Sequence, residues 1–400
     1  MNMRVVRLFT YALVGLIVLG FAGCSTGQHG RNVEEANKRI NTQRANIMLP
    51  LAIEQFETGD LDEALRTTSE ALRNDPGNAA FYILAGRIAM EQGKLERGLH
   101  LLDRAIELNP GLPDAHYYRG IVFQRWQRID EARQCYQRAY DLEPDQPAYL
   151  LAVAEMLVAS DLADEALQMI ESKLIYFEYK PGLNAAVGGL YMMRRDFSKA
   201  IKYLYEAHML EPDDARMLEQ LAMAELAAGQ ASQAVRHLEQ LTGDPVNSHR
   251  NDLRRTLASA YLRSGRIGDS RDIYKRMTRK DPSDVESWIN LGEIAWRGGD
   301  IASTLVAANQ VMNYAPQRPA GYLLAGLVWQ KRNQHDRALT FFEKAYAAAP
   351  DNDMVVLLKG IAHQYVGNRQ QAFLAFMEAM RRNPNNDRAR QLLSHIGATN

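Results

Sequence analysis

Apolar, small and proline positions recur along this chain at a fixed interval. Between residues 288 and 350 the slots read Trp288, Leu291, Gly292 and Pro316, then Tyr322, Ala325, Gly326, Trp329, Ala338, Phe342, Ala345 and Pro350. Pro282, Pro316, Pro350 and Pro384 stand 34 residues apart, the mark of one supersecondary unit copied along the chain. Each copy is predicted to be two antiparallel helices, here residues 319–330 and 336–348. Gly326 and Ala338 are small because the two helices approach closely there, while Phe342 and Trp329 fill the space on either side. Pro350 cannot continue a helix interior and marks the break. Asp351 and Asn352 supply turn and cap chemistry for the next helix. One such pair cannot bury its own apolar face, so neighbours must stack.

This pattern resembles the tetratricopeptide repeat (TPR), whose signature is W-x2-L-G-x2-Y, then A-x3-F, then P. Trp288, Leu291 and Gly292 match the first half, with Ala295 in place of the tyrosine, and Ala338, Phe342 and Pro350 match the second. The resemblance implies an all-α fold, a TPR alpha-solenoid of antiparallel helix pairs stacked into a right-handed superhelix. It also implies a scaffold that binds proteins or peptide segments.

In chain order, the first repeat covers residues 45–78 and is regular only in its second half, as terminal repeats often are. Ahead of it, residues 33–49 have helical period, and Pro50 predicts a kink or a fresh helix start. The second and third repeats are regular. The fourth loses its closing proline, where Glu178 stands, and ends in the string Ile175-Tyr176-Phe177-Glu178-Tyr179. The fifth recovers the pattern. Between Pro212 and Pro282 the spacing is 70 residues, two more than two repeats, with the excess near the loop-rich residues 243–248. That slip places a joint between one sub-array at 45–250 and a second at 251–385. A short amphipathic helix at 387–396, within a capping segment at 386–400, closes the end.

Composition narrows the function classes. The 400 residues carry 47 Lys+Arg against 48 Asp+Glu, a net charge of −1. A nucleic-acid reader usually shows a basic excess, so no nucleic-acid partner is expected. The two cysteines, Cys24 and Cys135, cannot build a disulfide framework, and Cys135 reads as a small buried hydrophobe. The nine histidines fall in no H-E-x-x-H or C-x-x-C setting. No catalytic constellation is found, so no enzyme activity, metal or cofactor is expected. Trp288 and Trp329 sit in repeat slots, while Trp126 and Trp296 fall near helix ends, where exposure is expected.

Residues 1–23 read as a processing segment: Arg4 and Arg7, an apolar run from Phe9 to Phe21, then Gly20, Ala22 and Gly23 as small residues. The run is shorter than the roughly 20 residues a spanning helix needs. Phe21-Ala22-Gly23-Cys24 resembles the lipobox of bacterial lipoproteins, although Phe21 departs from the usual aliphatic residue. The resemblance implies acylation of Cys24 and a membrane contact through that lipid; an ordinary secretory peptide cut near Ala22 is the alternative. Residues 24–44 form a tether and N-terminal helix. Ser25 is not aspartate, which in that family leans towards the periplasmic face of the outer membrane.

In the TPR family the exposed side of each first helix lines a concave groove. Carried over, those positions are Ile83, Arg87, Tyr117, Ile121, Leu151, Glu155, Met192, Met193, Met223 and Leu226. They are mostly apolar with single charges interspersed, which suits an amphipathic helix or an extended apolar segment. The lysines and asparagines of the carboxylate-clamp branch are missing. The expected function is a lipid-anchored adaptor that assembles an envelope machine such as a pilus, export or cell-wall complex. The alternative is a structural spacer subunit of a polysaccharide or protein export complex.

Overall fold

The computed structural model describes residues 31–177 and 179–397. Residues 1–30, with Cys24 and the expected processing segment, Glu178 and residues 398–400 lie outside the described residues. The described chain is helical, with a first helix α1 over residues 31–57. Then follow α2 (Leu61–Asn74), α3 (Ala79–Glu91), α4 (Leu95–Leu108), α5 (Pro113–Arg125), α6 (Ile129–Leu142), α7 (Pro147–Ala159), α8 (Ala163–Leu174) and α9 (Pro181–Met193). The described chain divides into two compact units, one up to Arg194 and one from Arg195 onward.

The second unit holds α10 (Phe197–Leu210), α11 (Ala215–Ala227), α12 (Ala231–Gly243), a 3-10 turn at Pro245–Asn247, α13 (Asn251–Arg263) and α14 (Ile267–Lys280). It continues through α15 (Val285–Arg297), α16 (Ile301–Tyr314), α17 (Pro319–Lys331), α18 (His335–Ala348), α19 (Asp353–Tyr365), α20 (Arg369–Arg382) and α21 (Asp387–Gly397). Among the described residues there is no strand. No described helix is long and apolar enough to cross a membrane.

Local chemistry sets the helix limits. The predicted pair at 319–330 and 336–348 is observed as α17 and α18, each within one residue of those limits. The Asn352 side chain accepts from the backbone N–H groups of Met354 and Val355, capping α19. Asp300 does the same for α16 through Ser303. Pro113, Pro147, Pro181 and Pro319 begin their helices, where a missing N–H costs nothing. Pro50 does not start a fresh helix: α1 runs through it. Ala45 and Ala52 on either side of it are fully buried, so packing offsets the one lost bond.

Within each unit, every helix packs on the next, and first helices of successive repeats also touch, as α3 on α5 and α15 on α17. Gly120 shows why the slot is small. A Cβ there would stand 2.6 Å from a ring carbon of Tyr136, which is fully buried across the helix pair. Tyrosines also tie a first helix to the helix before it: Tyr191 donates to Glu171 and Tyr261 to Glu239. Cys135 is buried on α6, and burial pushes its thiol pKa up, so it stays protonated. Trp126 and Trp296 are half-buried rather than open; a lysine, Lys331, sits over the Trp296 ring.

The slipped spacing becomes the 3-10 turn before α13. Asn247 is buried there and donates to the Leu241 carbonyl at 2.9 Å. One core runs past it without a break, from Leu218 through Leu241 and Leu253 to Ile294. At the far end, Ala389 and Ile396 of α21 pack with Val356 and Phe376.

Candidate protein-binding groove

Two columns of predicted residues stand at the repeat interval on the first helices of the first unit. Ile83, Tyr117 and Leu151 form one, and Arg87, Ile121 and Glu155 the other, four residues further along α3, α5 and α7. A four-residue step keeps both columns on the same helix face.

Two adjoining recesses open on this face. The first, of about 500 Å³, is lined by Phe56, Arg87, Met90, Tyr118, Ile121 and Arg125, among others. The second, of about 380 Å³, is lined by Tyr117, Ile121, Gln124, Leu151 and Glu155 with Tyr136 at its base. Ile121 belongs to both. Five predicted residues, Arg87, Tyr117, Ile121, Leu151 and Glu155, therefore come together on one surface.

Arg87 is held between two rings, its guanidinium 4.6 Å from the Phe56 ring centre and 4.8 Å from that of Tyr118. Arg125 donates to the Met90 carbonyl at 3.1 Å and pairs with Glu91. Tyr117 lies within 5.5 Å of the ring centres of Tyr118, Tyr136 and Tyr149. Burial pushes the phenols of Tyr117 and Tyr118 up, the Arg87 charge opposing the rise at Tyr118, so both stay protonated. The surface thus offers aromatic and aliphatic faces, one clamped cation and the exposed carboxylate of Glu155.

The other predicted positions fall elsewhere. Ile83 is a core residue, packed in the cluster of Leu102 and Val122, and is not available to a ligand. Leu226 is likewise core, in the cluster of Leu218, Ala222 and Leu257. Met192 is half-buried and Met193 is 60% exposed on α9. Met223 is exposed on α11 of the second unit. Phe56 and Gln124, two repeat intervals apart, line the recesses and were not among the predicted positions; Phe56 lies in the irregular first repeat.

The second unit buries a polar pair. Glu225 of α11 meets His237 of α12 at 2.9 Å. Burial pushes the Glu225 carboxyl up, and His237 opposes that rise. Among the described residues no group of His, Cys, Asp or Glu is arranged to hold a metal.

Stacked helix pairs, with a recessed wall in the first unit, define a repeat scaffold. The family model described as tetratricopeptide repeat matches residues 49–113 and 83–147. Residues 49–147 thus carry tetratricopeptide repeats, and the described residues form an all-α stack of helix pairs within each unit. A second model, described as bacterial transcriptional activator domain, matches residues 196–281. No curated protein matches the chain. Among solved structures, Pseudomonas aeruginosa PilF is similar at 15% identity and a TM-score of 0.46, over 50% of this chain and 92% of that one. Yeast Tom70 is similar at 12% identity and 0.45, over 89% and 88%. The Cut9–Hcn1 hetero-tetramer of the APC/C is similar at 12% identity and 0.41, over 89% and 97%.

Proposed function

We propose that this chain is a lipid-anchored scaffold of the bacterial cell envelope that holds a segment of a partner protein on the wall of its first unit. Tetratricopeptide repeats are protein-interaction scaffolds. The observation that carries the binding part of the proposal is the continuous wall formed by the two recesses sharing Ile121. Its apolar lining with single charges suits an amphipathic helix or an extended apolar segment. The hydrophobic part of such binding is weakly sensitive to salt, unlike contact with a phosphate backbone. The envelope part rests on the lipobox-like Phe21-Ala22-Gly23-Cys24, which supports anchoring on the periplasmic face of the outer membrane and assembly of an envelope machine.

Two experiments separate these parts. A photo-crosslinking residue at exposed Glu155 should capture one partner, and the same residue at Gln134, exposed on α6, should not. Equal capture at both positions would place the binding surface elsewhere. For the anchor, Cys24→Ala should release the protein from membranes, since each buried methylene contributes about 0.8 kcal/mol. Unchanged membrane fractionation would remove the lipid from the proposal and leave the groove reading intact.

A further inference from the structure

The connection between α12 and α13 spans residues 244–250, whereas α14 and α15 are joined by residues 281–284 alone. Beside this longer connection, at the ends of α12, α13 and α14, the second unit opens a recess of about 590 Å³. Its floor is apolar: Leu257, Ile273 and Met277 line it and are buried. Its rim is cationic, with Arg254 from α13 and Arg276 and Lys280 from one face of α14.

These cations differ in their commitments. Arg254 donates to the Ser248 carbonyl at 2.6 Å and to Asn251 at 3.1 Å, which ties the inserted loop to the rim. Neighbouring Arg250, Arg255 and Arg266 are each neutralised by a carboxylate. Among the described residues, no salt bridge engages Arg276 or Lys280, although both line the recess. The one carboxylate in the lining, Asp281, has an oxygen occupied by the backbone N–H and hydroxyl of Ser283.

We propose that this recess binds a phosphate monoester group, held by the rim cations above the Leu257–Ile273–Met277 floor. Three cations against one carboxylate leave two positive charges at the rim. A phosphate monoester carries about −1.5 to −2 at neutral pH, which matches that surplus, whereas a single carboxylate leaves part of it uncompensated. Guanidinium groups suit phosphate because their planar forks donate in pairs to its oxygens, and the lysine adds a compact charge. The site is separate from the wall of the first unit, so it stands or falls independently of the partner-binding proposal.

The phosphate could belong to a soluble metabolite or to a lipid headgroup, and two probes distinguish them. Calorimetric titration of the full chain with glycerol 3-phosphate, at matched ionic strength, should give saturable binding, and propionate should give none. Dihexanoyl phosphatidic acid below its micellar concentration should bind as well. Tighter binding than glycerol 3-phosphate assigns the site to a lipid headgroup, and equal binding assigns it to a soluble phosphate. Arg276→Gln and Lys280→Gln should each weaken binding about tenfold, in the range of hydrogen bonds to charged groups. Both side chains are exposed, so folding should be kept, which a melting curve checks. Arg271→Gln, on the same helix but outside the recess, should bind as the parent does. No saturable phosphate binding, or an equal loss in Arg271→Gln, would overturn the proposal.

Discussion

Gly326 and Phe342 occupy the same space across the α17–α18 pair: a Cβ on Gly326 would lie 2.5 Å from a ring carbon of Phe342. Phe342 is fully buried, so its ring has nowhere to retreat. The same relationship recurs between Gly360 and Phe376 at 2.6 Å. Gly326→Leu should therefore destabilise the second unit by roughly 1–3 kcal/mol through overpacking. Lys344→Gln, at an exposed position on α18, should stay within about 0.5 kcal/mol of the parent. Hydrogen exchange is the measurement, and protection should be lost first in α15–α20. Uniform loss across the unit would argue against nearest-neighbour stacking.

The turn inside each helix pair demands a left-handed residue. Gly93, Gly229 and Gly299 fill it in their repeats, but Gln127 stands there with φ 59°. A side chain in this region costs roughly 1–2 kcal/mol, partly offset by the greater unfolded-state freedom of glycine. Gln127→Gly should raise the urea midpoint, with a gain of up to about 1 kcal/mol. A lower midpoint would mean that the Gln127 side chain stabilises the turn more than its backbone strains it.

His363 is buried on α19 and its Nδ1 has no hydrogen-bond partner among the described residues. Burial pushes its pKa below the ordinary histidine value, with Lys359 adding to the shift and Glu343 opposing it. The unfolded chain then takes up a proton before the folded one does. Stability from this group is complete above the ordinary pKa and is lost as pH falls towards the depressed folded value. Between about pH 7.5 and 5.5 the parent should lose more unfolding free energy than His363→Gln. Denaturant unfolding across that range checks it, and parallel curves would show that His363 takes up its proton equally in the folded and unfolded states.

Arg87 clamps the groove wall through its two rings, at 4.6 and 4.8 Å. Exposed cation–π contacts contribute about 0.5–1 kcal/mol each, so Arg87→Ala should cost on the order of 1 kcal/mol in the first unit. Arg87→Lys keeps the charge but not the planar stacking and should fall between the two. Partner crosslinking at Glu155 should drop in the same order. Stability loss with full crosslinking would make Arg87 a packing residue alone.

The repeat period, the helix limits, the caps such as Asn352 and the paired slots of Gly326 and Phe342 were all legible in the sequence. These depend on contacts within one helix pair or on chain-local chemistry, so a recurring pattern reports them directly. The columns Arg87–Ile121–Glu155 and Tyr117–Leu151 were legible for the same reason. Exposure was decided only in three dimensions. Ile83 and Leu226 occupy the same kind of slot as exposed neighbours, yet adjacent helices cover them. Phe56, in the irregular first repeat, reaches the wall because α1 packs against α2 and α3. The slip near residues 243–248 was visible as spacing. That it would sit beside a cationic recess depended on where α12, α13 and α14 converge, because burial and cavity shape are properties of side chains brought together from different repeats.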